Sequence, residues 1–210
     1  MSTIFDWLFS QYEGIDTHLI VLELFGVFFG VLSVLYSKNN KILVYPTGIV
    51  STLLYAYILY VYGLLGDMLI NVYYFTMSVY GWYIWTRKTD GTHVTPVTTV
   101  TKKENKIIAI IFIATMLFIT LVYELFDKWQ GWPSYVDIIT TAFFFAGMWL
   151  MAKKKIEYWI YLMIGNIISV PLYFYKGLTF SAFLYIFLII VAIIGFYSWK
   201  KLLYKKVVTI

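Results

Sequence analysis

Along this chain, apolar runs of membrane-spanning length alternate with short polar breaks. Crossing about 30 Å of hydrocarbon takes about 20 mostly apolar residues at 1.5 Å each. Seven windows qualify: 19–37, 42–62, 66–86, 106–124, 134–152, 156–175 and 181–199. The pattern predicts an all-α integral membrane protein with seven transmembrane helices. Polar positions inside these windows are few. An unsatisfied polar group in lipid costs several kcal/mol, so they mark surfaces turned toward protein or water.

The pattern also repeats. Residues 23–87 superpose on 137–201 at a constant offset of 114, without a gap. Glu23 meets Asp137, Phe29 meets Phe143, Lys41-Ile42 meets Lys155-Ile156, and Tyr45 meets Trp159. Gly63-Leu64 falls on Gly177-Leu178, and Gly81-x-Tyr83-x-Trp85 on Gly195-x-Tyr197-x-Trp199. Each copy holds three helices, and the window at 106–124 lies between them. Repeats of this kind build many transporter folds, with the substrate held where the copies meet.

Charge orients the array. Sorted by alternating loops, fourteen of the 16 Lys and Arg fall on one side: Lys38, Lys41, Arg87, Lys88, Lys102, Lys103, Lys106, Lys153 to Lys155, Lys200, Lys201, Lys205 and Lys206. Only Lys128 and Lys176 fall on the other. The crowded side is expected to be cytoplasmic, with the N-terminus outside and the C-terminus inside. Helix four then returns the chain outside, so the copies run parallel rather than inverted. Parallel three-helix repeats joined by one helix, a 3+1+3 plan, are the architecture of the SWEET sugar transporters. One membrane domain is expected. Residues 1–18 form an outer or interfacial segment, with a short aromatic amphipath at Ile4 to Phe9 and no signal peptide. Residues 19–87 form the first repeat, 88–133 the polar cytoplasmic linker with helix four, 134–201 the second repeat, and 202–210 a cytoplasmic tail.

Composition narrows the function classes. Hydrophobic residues make up 61% and charged ones 13%, too apolar for a soluble globule, whose charged share is about a quarter. The net charge of +5 therefore reflects topology and contact with anionic lipid rather than nucleic-acid binding. Without cysteine there is no disulfide, thiol catalysis or thiolate metal site. No GxxxxGK[ST] sequence is present to hydrolyse ATP. His18 and His93 sit at or beyond helix ends without a ligand partner, and helix seven has no lysine between Phe180 and Trp199 for a retinal Schiff base. No cofactor or metal is expected. A deeply buried acidic pair for ion coupling is also missing, which favours an uncoupled carrier.

The interior polar positions point to a site. Helix two carries Ser51, Thr52 and Tyr55, and helix six carries Asn166, Ser169 and Tyr173 at matching depth, with Thr52 opposite Asn166 and Tyr55 opposite Ser169 at the offset. Pro46 with Gly48, and Gly165 with Pro171, loosely match the interrupted helices that flank transport sites. Ser51 and Thr52 fit ordinary helix packing equally well. Helix three sets Asn71, Tyr74, Ser78 and Trp82 at spacings of three and four, hence on one face. Amide, phenol, hydroxyl and indole on one face suit a ligand that is part ring and part sugar. Trp82 also fits an aromatic belt at the membrane surface, and Trp85 and Trp199, beside basic residues, read as belt positions. Asp137 forms a polar cluster with Thr140 and Thr141, placed either to touch substrate or to draw a cationic one to the outer mouth. Gly26-x-x-x-Gly30 reads as helix packing.

At Tyr45-Pro-Thr-Gly, at Gly66-Asp-Met-Leu-Ile-Asn71-Val-Tyr-Tyr, at Ser78-Val-Tyr-Gly-Trp82-Tyr-x-Trp85 and at Gly195-Phe-Tyr-Ser-Trp199, the chain resembles the PnuC family of bacterial vitamin transporters over essentially its whole length. The resemblance implies uptake of nicotinamide riboside across the inner membrane by facilitated diffusion. A cytoplasmic kinase then traps the product. It also implies a SWEET-like fold and a homotrimer. Relatives that carry thiamine or riboflavin keep those substrates open, and a membrane sensor without transport is a third reading. A cationic ring, a carboxamide and ribose hydroxyls match aromatic faces and Asn, Ser and Thr groups. A phosphate would meet no basic residue at membrane depth. The expected lining is Asn71, Tyr74, Ser78, Trp82, Thr52, Tyr55, Asn166, Ser169 and Tyr173, with Asp137 toward the outside.

Overall fold

The computed structural model describes residues 16–89, 93–175 and 179–208. The aromatic amphipath at residues 4–9 and the Gly177-Leu178 pair lie outside them. Among the described residues seven helices follow in order: α1 Thr17–Lys38, α2 Val44–Val61, α3 Leu65–Thr86, α4 Lys102–Leu125, α5 Trp132–Ala152, α6 Tyr158–Tyr175 and α7 Thr179–Val208. Two short strands, β1 Lys88–Thr89 and β2 His93–Val94, pair antiparallel in the α3–α4 linker. Among the described residues six helices are long and apolar enough to cross a membrane, where the sequence pattern predicts seven. The exception is α3, whose 22 residues are diluted by Asp67, Asn71, Thr76, Ser78 and a run of tyrosines. It is long enough to span, and Asp67, Asn71, Tyr74 and Ser78 of it line the interior described below. Two boundaries also move. Helix α4 starts at Lys102 because Thr101 and Glu104 form a reciprocal capping box there. Helix α7 continues to Val208, so most of the expected tail is helical.

Helices α1, α2 and α3 pack in sequence, as do α5, α6 and α7, and α4 packs on α5. The two groups meet through α3 with α5 and through α1 with α7. The offset of 114 recurs in the backbone. Asn40 and Lys154 both take positive φ, at 53° and 55°. Around them, Lys41 N–H donates to the Tyr36 carbonyl as Lys155 N–H does to Leu150, and Tyr45 N–H to Ile42 as Trp159 N–H does to Ile156. Helices α2 and α6 run unbroken, since Pro46 falls in a first turn and Pro171 near the last. The interrupted helices suggested by those prolines are absent.

At the end where α1, α3, α5 and α7 terminate, here called the lower end, an aromatic block closes the interior. Trp85 and Trp199 are 2% and 0% exposed, so neither belongs to a surface belt. Each reaches across to the other helix group: the Trp85 indole donates to the Met151 carbonyl at 3.1 Å, and the Trp199 indole to the Ser37 carbonyl at 2.9 Å. Residues 37 and 151 are themselves separated by the offset, so the two bonds are a reciprocal exchange. Tyr45 meets Trp85 edge-on at 5.2 Å, and its counterpart Trp159 meets Trp199 edge-on at 5.6 Å. Gly81 and Gly195 make this possible, because a Cβ at either would meet the Tyr45 or Trp159 ring at 2.3 or 2.6 Å. Nearer the middle, Gly26 and Gly30 receive Tyr55 and Ser51 of α2, and Ser51 donates to the Gly26 carbonyl at 2.8 Å, which is the packing role expected of that pair.

The linker is more than a spacer. Residues 95–101 lie along the α5–α6 turn: Thr98 N–H donates to the Lys154 carbonyl, Ile156 N–H to Thr98, and Val100 N–H to a Glu157 carboxylate oxygen. Lys155 bridges to Glu104 at 2.8 Å, and Val97 is buried beneath. Lys154 donates to the Thr95 carbonyl and lies 4.2 Å from the Trp85 ring centre. Burial there lowers its ammonium from the usual 10.5 to about 8. Between those values the unfolded chain holds more protons than the folded one, so stability should rise as pH climbs from about 8 toward 10. Below pH 8 the burden of burying the charge is fully present. The melting temperature in detergent is expected to rise across that window, and Lys154→Met to flatten the rise. An unchanged slope in the variant would exclude Lys154 as its source.

Candidate functional site

Between the two helix groups, above the aromatic block, lie two stacked cavities. The inward seam of α3 runs Tyr74, Ser78, Gly81 and Trp85 at spacings of four, three and four, and Tyr74 and Ser78 of it line the cavities. Facing it, α6 presents Asn166, Ser169 and Tyr173 from successive turns. Gly165 lets the Phe144 ring of α5 press against α6; a Cβ there would meet it at 2.6 Å.

The upper cavity has a volume of about 370 Å³. Tyr55, Asn71, Tyr74, Asp137, Ser169 and Tyr173 line it, joined by Asp67, Tyr123, Thr140, Thr141, Phe144 and Tyr185. Its character is phenolic and acidic. The Tyr123 hydroxyl donates to Asp137 Oδ2 at 2.8 Å, and Asn71 Nδ2 donates to the Asp67 carbonyl at 3.1 Å, one turn back on its own helix. Both carboxylates also line a third cavity of about 240 Å³ at the mouth above, shared with Lys128, Gln130 and Ser134.

The lower cavity, about 310 Å³, is lined by Thr52, Ser78 and Asn166 with Tyr74, Phe144 and Tyr185 again. Thr52 already bonds its own helix at the Gly48 carbonyl. Asn166 does not: it is 0% exposed, and neither Oδ1 nor Nδ2 has a hydrogen-bond partner among the described residues. A buried carboxamide with both ends unmet is costly unless something completes it.

The structure thus gathers nine of the ten sequence candidates around the two cavities. Trp82 is the correction. It lines neither cavity and is 41% exposed, because the buried seam of α3 passes through Gly81 and Trp85 and leaves position 82 turned outward. Among the lining residues that were not sequence candidates are Asp67, Tyr123, Phe144 and Tyr185. A signal existed for two of them, since Tyr185 is the offset counterpart of Asn71 and Phe144 that of Gly30. Asp67 lies in the first turn of α3 and shares its cavity with Asp137. These two carboxylates lie toward the mouth and are not deeply buried. Among the described residues no cluster could hold a metal ion.

Residues 20–201 match the family described as nicotinamide mononucleotide transporter. The chain belongs to this family, the PnuC transporters. It is 24% identical over 202 residues to the riboflavin/roseoflavin transporter RibM of Streptomyces davaonensis, covering 92% of each chain. It is 24% identical over 205 residues to the nicotinamide riboside transporter PnuC of Escherichia coli, covering 85% of this chain and 84% of that one. A crystal structure of the vitamin B3 transporter PnuC superposes with a TM-score of 0.64 at 21% identity, covering 88% of this chain and 82% of its own. The chain is a multi-pass protein of the bacterial inner membrane, and its family and these relatives are transporters.

Proposed function

We propose that this PnuC-family protein carries nicotinamide riboside into the cytoplasm by facilitated diffusion, with intracellular phosphorylation keeping the product inside. The observation that carries this reading is the chemistry of the paired cavities. The upper one holds two carboxylates and several tyrosines, the lower one an unpartnered amide, and among the described residues no Lys or Arg lines either. A pyridinium ring is drawn by carboxylates and held on aromatic faces, at about 0.5 to 2 kcal/mol per cation-π contact. Its carboxamide has the donor and acceptor that Asn166 lacks. A phosphorylated nucleotide would bring negative charge against Asp67 and Asp137, so the cavities favour the riboside over the mononucleotide of the family's description.

The reading includes a membrane arrangement. The lower end, where Lys38, Lys41, Arg87 and Lys153 to Lys155 gather, faces the cytoplasm, with the N-terminus outside and the C-terminus inside. Helices α1–α3 and α5–α7 act as parallel repeats joined by α4, in the SWEET manner, with α4 and the outer helix faces against lipid. The assembly is a homotrimer, by resemblance to the family.

Riboflavin is the second reading, favoured by the end-to-end match to a riboflavin transporter. Thermal shifts of purified protein separate them. At about 100 times its dissociation constant a ligand stabilises the fold by about 2.7 kcal/mol. Nicotinamide riboside is expected to shift melting most, thiamine and riboflavin less, and nicotinamide mononucleotide not at all. A larger shift with riboflavin overturns the assignment. Counterflow in proteoliposomes then tests transport itself, since a sensor would bind without flux.

A further inference from the structure

Three aromatic side chains line both cavities and so stand between them: Tyr74 of α3, Phe144 of α5 and Tyr185 of α7. Phe144 has the firmest seat. Its ring presses on Gly165 from one side and lies nearly parallel to Tyr185 on the other, with centres 6.3 Å apart and planes 9° from each other. Tyr185 is braced in turn by Tyr173, edge-on at 4.7 Å. The counterpart of Phe144 at the offset of 114 is Gly30, and the counterpart of Gly165 is Ser51. In the first copy a small residue on the opening helix thus meets a hydroxyl, with a Cβ on Gly30 only 3.1 Å from Ser51 Oγ. The second copy exchanges the sizes and puts a benzene ring into the space. Helix packing in this architecture does not require bulk at that position, so the ring is available for another task.

We propose that Phe144 selects the ring system of the substrate, admitting a nucleoside with a single aromatic ring and excluding a fused three-ring system. The inference rests on the reading of these cavities as a vitamin site. A substrate that meets the carboxylates above and Asn166 below has to pass the plane of Phe144. A nucleoside has a rotatable bond between ring and sugar and can bend around the edge of that plane. In a flavin only the ribityl chain can bend; its three fused rings are flat, rigid and much longer than a single pyridine ring, and they collide with the Phe144 ring. Removing the ring joins the two cavities into one slot and lifts the exclusion.

The test is the ratio of riboflavin to nicotinamide riboside dissociation constants, measured on purified wild type, Phe144→Ala and Phe144→Leu. Leucine keeps apolar bulk beside Gly165 and guards against loss of fold in the alanine variant. The ratio is expected to fall by about tenfold or more in at least one folded variant, the range that pocket trimming gives. That fall should come from newly tight riboflavin, a gain that a damaged fold cannot produce. Wild type that binds nicotinamide riboside, with the ratio unchanged in the folded variants, overturns the inference while leaving the vitamin reading intact. Wild type that already binds riboflavin as tightly as the riboside overturns it too. Wild type that binds no vitamin removes both.

Discussion

Replacing Trp199 with alanine is expected to lower the unfolding free energy by about 3 to 5 kcal/mol, the range for truncating a buried tryptophan. The indole is fully buried, packs against Trp159 and Trp85, and supplies the hydrogen bond to the Ser37 carbonyl that ties α7 to α1. Truncation leaves both a cavity and an unmet carbonyl in a dry interior. Trp85→Ala removes the reciprocal tie to Met151 and should have an effect of the same size. Because the two rings lie 5.9 Å apart, the double variant should fall short of the sum. Total stability is only about 5 to 15 kcal/mol, so either change consumes much of it. Thermal unfolding in detergent measures this. An alanine variant that melts with wild type would mean that the block at the lower end does not hold the two helix groups together.

Asn166→Leu should move stability and binding in opposite directions. Both ends of the wild-type amide lack partners in a fully buried setting. An apolar side chain of similar volume removes that desolvation burden, and the empty protein should gain about 1 to 3 kcal/mol. The same change takes away the donor and acceptor offered to a substrate carboxamide, and affinity for nicotinamide riboside should drop by about tenfold to a hundredfold. A residue with only a packing role would not separate the two quantities. If the leucine variant loses stability and keeps its affinity, Asn166 is a structural residue and the lower cavity is not where the amide binds.

Much of this was legible along the chain. Six of the seven spans follow from hydropathy, because a lipid-facing helix must be apolar over its length. The offset of 114 predicted which turns would match, and Asn40 and Lys154 do so down to their left-handed backbone. The polar positions Asn71, Ser78, Asn166 and Ser169 were readable for the same reason, since hydrocarbon leaves a polar side chain nowhere to face but inward. Trp82, Trp85 and Trp199 were not separable by type. An indole is at home in a core and at a membrane surface, and one residue of helical phase decides which.

The sequence by itself determined the spans, the duplication, the charge sorting and the set of interior polar groups, since each depends on local hydropathy or on identity at a fixed offset. Tertiary structure alone decided that Asp67 and Asp137 share a cavity, that two indoles exchange bonds across the helix groups, that the linker bonds the turn between α5 and α6, and that Phe144 stands between two chambers. Those relations join side chains on different helices. Which helix faces which is set by the fit of Gly81, Gly165 and Gly195 to the rings opposite them.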